Sequence, residues 1–201
     1  MEISKFIVPI FSDGEFCGNG FIVNGMLITA YHVVNDGVVY FEYEGKHYIN
    51  IDDYIIRQEK KNESKNPSIA CDLFICQTEI DGSKLHLSSE FIQKDKCDYI
   101  GYFFNEKLNQ HVLKRVSVDS ISLNFGLHSV DRRFVPLDNC ITCTMALEPG
   151  NSGGPLFQNN QIIGMLIRDV NNEGSKTESI FIKSSYIINA LGEKGINLQA
   201  K

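Results

Sequence analysis

Glu148-Pro149-Gly150-Asn151-Ser152-Gly153-Gly154-Pro155-Leu156 sets one serine among three glycines, ahead of an apolar run. Glycine reaches backbone conformations closed to other residues and lets N–H groups crowd around one point. A serine that attacks a carbonyl needs such a rigid, exposed perch, with donors aimed at the oxyanion it creates. A Gly-rich turn between two strands would carry the same residues. The stretch therefore points to nucleophilic chemistry only if a base and an orienting carboxylate lie elsewhere in the chain.

Histidines stand at 32, 47, 86, 111 and 128. His32 follows the apolar run 26–31 and precedes Val33-Val34, a setting that predicts a largely buried ring in need of a partner. Asp72 is a single carboxylate within the apolar stretch 69–76. A buried, unpaired aspartate is costly, so it should face a donor. Either residue alone also reads as a core polar group satisfied by backbone. The simplest joint solution has Asp72 accept from one ring N–H of His32, which fixes the tautomer and leaves the other nitrogen for Ser152.

Three blocks then carry a resemblance. They are Gly18-Asn19-Gly20-Phe21-Ile22-Val23 with Leu27-Ile28-Thr29-Ala30-Tyr31-His32-Val33-Val34, next Asp72-Leu73-Phe74-Ile75, and finally residues 149–156. With them the chain resembles a chymotrypsin-fold (trypsin-like) serine protease, most nearly the HtrA (Deg) type of peptidase domain. The resemblance implies Ser152 as nucleophile, His32 as general base and then acid, and Asp72 as the orienting carboxylate. It implies an oxyanion hole made by the N–H groups of Gly150 and Ser152, and no metal or cofactor. The primary specificity pocket would be lined by Thr144, Ala146, Leu147, Leu166, Ile167 and Arg168. Ala146 stands where cleavage after Lys or Arg would require an aspartate, so a small or apolar P1 side chain is expected. Arg168 and Asp169 are expected at a solvent-exposed rim.

The departures from the family pattern carry information. Asn151 replaces the aspartate that in the digestive enzymes pairs with a newly cleaved N-terminus, which argues against zymogen activation. Cys17 resembles a cysteine that those enzymes bridge to the residue after the histidine, but that residue is Val33. HtrA proteins usually add a PDZ domain after the peptidase domain; residues 184–201 read as only a short helix and tail, so peptide-triggered activation through a PDZ is not expected within these residues. Gly150-Asn151-Ser152-Gly153-Gly154 also fits the G-x-S-x-G elbow of α/β-hydrolases. That fold places its histidine after the serine, and here every histidine precedes Ser152.

The rest of the chain agrees with an all-β protein. Short apolar runs at 4–11, 16–23, 26–31, 38–43, 48–56 and 69–78 read as strands, with Asn24-Gly25 as a hairpin turn. A second series follows at 97–104, 112–123, 134–145, 155–157, 162–169 and 179–182, with Asn159-Asn160 turning ahead of Ile162. Residues 57–67 mix both signs of charge and read as a solvated loop. A helix is expected only near the C-terminus, N-capped by Ser184 or Ser185, with a stripe of Ile187, Ile188 and Leu191, and ended by Gly192. This predicts two antiparallel six-stranded β-barrels, residues 1–85 carrying His32 and Asp72 and residues 86–183 carrying Ser152. Residues 184–201 form the helix and tail.

A net charge of −6 argues against a nucleic-acid or anionic-membrane partner. The N-terminal stretch lacks the charged segment, long apolar segment and cleavage site of a secretory signal, which predicts a cytoplasmic protein. Six cysteines include the pair Cys140 and Cys143, which in a strand point to opposite faces and cannot share a metal or bridge. Buried free thiols are expected, with disulfides, or a metal gathered by Cys97, Cys140 and His128, as the alternatives. The partner is a protein or peptide substrate. The rival readings are a protease-like module that holds peptides without turnover, and a latent protease awaiting a regulatory partner or homo-oligomer.

Overall fold

The computed structural model describes residues 3–58, 72–90, 92, 96–118, 121–122, 140–143, 147, 150–170 and 178–198. A 3-10 turn at Ile3–Phe6 leads into β1 (Ile7–Ser12), β2 (Glu15–Val23) and β3 (Met26–Thr29). A one-turn helix α1 (Tyr31–Val34) follows, then β4 (Val39–Glu42), β5 (Lys46–Tyr48), β6 (Ile56–Gln58) and β7 (Leu73–Gln77). The second series is β8 (Cys97–Asn105), β9 (Gln110–Val118), β10 (Ile121–Ser122), β11 (Cys140–Cys143), β12 (Pro155–Gln158), β13 (Gln161–Val170) and β14 (Glu178–Lys183). Helix α2 (Ser184–Glu193) packs on β13 and β14.

These strands form two antiparallel sheets, ordered β5-β4-β1-β2-β3-β7-β6 and β10-β11-β14-β13-β12-β8-β9. Each has seven strands rather than the expected six, because one run in each is divided. The run 48–56 splits into β5 and β6, where Asn50 turns the chain by accepting the N–H of Asp52 on Oδ1 at 3.1 Å and the N–H of Asp53 on its carbonyl at 3.0 Å. The run 112–123 splits into β9 and β10. In both cases the two halves are opposite edges of one sheet. A flat seven-stranded sheet would hold its edges about 29 Å apart. Val118 and Ile121 can be no more than about 11 Å apart along the chain, so the second sheet must curl back on itself, as a barrel does.

Both hairpins marked in the sequence form. Asn24 and Gly25 take φ of 48° and 75°, the paired positive values of a type I′ turn, between Val23 and Met26. Asn159 and Asn160 do the same between Gln158 and Gln161, at 50° and 62°. Asp13-Gly14 makes a third, at 49° and 89°, which the run-by-run reading passed over as a gap. At α2 the expected caps are corrected. Ser184 does not cap: its hydroxyl donates to Ile162 O at 2.8 Å, tying the helix start to β13, and Lys183 holds the N-cap position. The helix runs past Gly192, and Gly195, at φ 76°, takes the left-handed position while Ile196 N–H closes on Leu191 O at 3.0 Å.

One continuous core joins the sheets: Phe21, Leu27 and Phe74 from the first belong to the same cluster as Ile162, Met165 and Ile182 from the second. A second cluster gathers Tyr99, Leu156, Leu166 and Phe181. Cys140 lies in the first cluster and Cys143 in the second, as strand parity requires. The connector 82–90 is fastened at both ends. Gly82 approaches Ile22 so closely that a Cβ would collide with its carbonyl, and Ser88 N–H and His86 O bond the backbone of Ile162 at 2.8 Å each. Of the solvated run expected over 57–67, Arg57 and Gln58 belong to β6, and the remainder lies outside the described residues.

Candidate active site

Asp72 stands just ahead of β7 and is 2% exposed. Its two oxygens serve one residue. Oδ1 accepts the backbone N–H of His32 at 2.9 Å, and Oδ2 lies 2.5 Å from His32 Nδ1. A carboxylate accepts, so Nδ1 carries a proton, and in the neutral imidazole Nε2 is the nitrogen with the lone pair. The backbone bond has no counterpart in the sequence expectation. It ties the position of the ring, as well as its tautomer, to one buried carboxylate.

The expected burial of His32 is corrected: its side chain is 42% exposed. The apolar neighbours misled because residues 31–34 form a helical turn rather than an extension of the strand. In that turn Tyr31, Val33 and Val34 are buried while His32 faces out. It lines a cleft of about 340 Å³ with Phe16, Cys17, Val33, Asn35 and Asp36. Burial pushes the Cys17 thiol up from its ordinary pKa, with Glu15 and Asp13 adding to the effect.

The backbone of Ser152 comes close to the residue after His32 across Gly18. A Cβ on Gly18 would stand 2.9 Å from Ser152 O and 2.8 Å from a methyl of Val33. One glycine therefore separates the residue after His32 from the backbone of Ser152. Gly150 and Gly153 hold φ of 92° and 84°, which L side chains rarely adopt. Gly153 also lies against Asn19 O and the Thr29 hydroxyl, where a Cβ would collide with both. Its N–H donates to Leu166 O at 2.7 Å, and Leu166 N–H donates to Gly154 O at 2.9 Å.

Asn19 is the residue that sequence reading passed over, although it sits in the quoted Gly18-Asn19-Gly20 block. It is 0% exposed and fully engaged. Nδ2 donates to Gly150 O at 3.1 Å, Oδ1 accepts Tyr102 N–H at 2.6 Å, its N–H donates to Ser152 O at 2.8 Å, and its carbonyl accepts the Thr29 hydroxyl at 2.7 Å. The signal that marked Asp72, a polar side chain in an apolar strand, marks Asn19 equally. Asn151, 2% exposed, donates through Nδ2 to Tyr102 O at 3.0 Å and accepts the Tyr99 hydroxyl on its carbonyl at 2.6 Å. An amide thus bonds where the digestive enzymes use an ion pair.

Of the pocket residues expected from sequence, Thr144 and Ala146 lie outside the described residues. Leu147, Leu166 and Ile167 are 4%, 1% and 2% exposed and pack into the core clusters. Leu147 N–H donates to the Ser179 hydroxyl at 3.2 Å. Between Leu166 and Arg168 the register with β14 shifts, and Arg168 pairs with Ile180 through backbone. Of the expected oxyanion donors, Gly150 N–H belongs to a peptide unit shared with Pro149, which lies outside the described residues. Among the described residues no three His, Cys, Asp or Glu side chains gather as metal ligands; His128 is not among them.

The sequence profile of the trypsin family matches residues 3–191. No curated protein matches the sequence. Solved structures of similar shape include mouse neuropsin, a serine protease expressed in the limbic system of the brain. It aligns at TM-score 0.68 and 12% identity over 98% of this chain and 97% of that one. A mutant of Rv3671c from M. tuberculosis in its inactive form aligns at TM-score 0.65 and 16% identity, over 96% and 88%. The serine protease of a human pathogenic astrovirus aligns at TM-score 0.56 and 15% identity, over 91% of each. At such identities the likeness is one of fold.

Proposed function

The chain belongs to the trypsin family of serine peptidases, and from that premise we propose an endopeptidase that works through Ser152, His32 and Asp72. The observation that carries this reading is the pair of hydrogen bonds that one buried carboxylate accepts from the His32 backbone and ring, beside Ser152 in its glycine-rich loop. His32 Nε2 takes the Ser152 Oγ proton as Oγ attacks the scissile carbonyl. The tetrahedral oxyanion is held by backbone N–H groups of the 150–152 loop. Collapse expels the amine with the proton from His32 and leaves an acyl-enzyme. Water, deprotonated by the same imidazole, then releases the acid and restores Ser152.

Small or apolar P1 residues belong to the same proposal and rest on Ala146. The finer kinship with HtrA-type peptidase domains rests on the three motif blocks taken together. A cytoplasmic setting rests on Val33 standing where a bridging cysteine would.

A fluorophosphonate probe tests the central reading. Wild-type protein labels at Ser152, and labelling is lost in Ser152→Ala and His32→Ala. Asp72→Asn remains folded and turns over a peptide about 10⁴-fold more slowly, because its amide no longer enforces the Nδ1–H tautomer. No labelling of folded wild-type protein would overturn a constitutively assembled nucleophile. A peptide-library profile dominated by Lys or Arg at P1 would overturn the specificity alone.

A further inference from the structure

Between Gly150 and Gly153 the loop's own hold on the Asn151 carbonyl is one long turn bond from Gly154 N–H at 3.3 Å, and peptide units beside glycine invert at small steric cost. Three consecutive carbonyls are nevertheless tied from outside the loop. Gly150 O accepts from Asn19 Nδ2 at 3.1 Å, Asn151 O from the Tyr99 hydroxyl at 2.6 Å, and Ser152 O from Asn19 N–H at 2.8 Å. In a planar trans peptide the C=O and N–H of one unit point in opposite directions. Tyr99 is 0% exposed and belongs to the second core cluster. An Asn151 carbonyl held on Tyr99 therefore turns the Ser152 N–H away from that core.

We propose that Tyr99 is a positioning residue for the reaction: its hydroxyl locks the 151–152 peptide unit and so aims the Ser152 N–H at the oxyanion before substrate arrives. Asn19 braces the peptide units on either side. The inference rests on Ser152 being the nucleophile. Packing alone does not explain the hydroxyl, since two glycines make room for it. A Cβ at Gly101 or Gly154 would collide with the Tyr99 hydroxyl. The ring itself packs edge-on to Phe103 at 5.8 Å and tilted on Phe181 at 6.3 Å, contacts that a phenylalanine would keep. A donor aimed beforehand spends no reorganisation at the moment of reaction, and losing one outright costs about 10² to 10³ in kcat.

Tyr99→Phe in the full chain tests this. It is expected to lower kcat about 10- to 100-fold, with KM little changed. Affinity for a peptide aldehyde, which forms a tetrahedral adduct, is expected to fall in parallel. A tyrosine that only packs would instead lower the thermal midpoint and leave kcat intact at temperatures well below it. Gly101→Ala supplies a second variant outside the loop. Its methyl displaces the hydroxyl from Asn151 while every loop residue stays, and the same kcat loss is expected; it carries the test if Tyr99→Phe does not fold. Unchanged kcat and aldehyde affinity in a folded variant overturns the role of Tyr99 while wild-type turnover leaves the nucleophile in place. Wild-type protein that neither labels nor turns over removes the nucleophile and this inference together.

Discussion

His111 shows how one side chain couples the two sheets to pH. Its ring stacks on Phe16 at 3.9 Å between centroids and tilts against Phe104 at 5.4 Å. Phe16 in turn comes within 3.1 Å of where a Cβ on Gly150 would sit, so the stack flanks the loop that holds Ser152. Burial lowers the His111 pKa from its ordinary 6.5. The unfolded chain therefore binds this proton at a higher pH than the folded one, and stability falls as pH drops through 6.5 towards the lowered folded value. Below that value the loss levels off, since both states are protonated. Urea midpoints measured from about pH 8 to pH 5 should show this acid weakening in wild type and a smaller slope in His111→Gln. Equal slopes would show that the stack carries no titration. None of this was legible locally, because His111 and Phe16 meet only through the packing of β9 against β2.

At the scale of elements, strand β2 does more than fill the first sheet. Its apolar run was readable, and so was its hairpin to β3, because turn chemistry is local. The use made of Asn19 was not, since its amide meets Gly150 across 131 residues of sequence. Strand β3 supports the Asn19 backbone through the Thr29 hydroxyl, since Thr29 is 0% exposed and donates at 2.7 Å to Asn19 O. Thr29→Val keeps the shape and leaves that buried carbonyl short of a donor, at a cost of about 1–3 kcal/mol. Urea denaturation should show a lower midpoint with an unchanged m-value, and an unchanged midpoint would mean that the bond contributes nothing net. The same limit explains the misjudged surroundings of His32. A four-residue helical turn after a strand has too short a pattern to be told from the strand's continuation. Residue type marks Ser184 and Ser185 alike as caps, and tertiary contact draws the Ser184 hydroxyl to Ile162 instead.

For the whole molecule, the shared core and the connector fastened at Ile22 and Ile162 bind the two sheets into one folding unit. Heat or urea should therefore unfold the protein in a single transition, with near-ultraviolet and far-ultraviolet circular dichroism coincident. Two separated transitions would show that the sheets are independent. The sequence by itself determined the all-β class, the two strand series, the Asn-Gly and Asn-Asn hairpins and the identity of the nucleophile, base and carboxylate candidates. The class and the hairpins follow from apolar runs and from turn residues that tolerate positive φ, the carboxylate from a side chain too costly to bury unpaired, and the nucleophile and base from the motif blocks and the resemblance they carry. Only the tertiary structure decided how the site is held. The outward-facing His32 ring, the two bonds from Asp72, the amide of Asn19 and the hydroxyl of Tyr99 depend on residues 40 to 131 positions apart meeting in one place. Which donor meets which carbonyl is a matter of packing direction, and no local pattern records it.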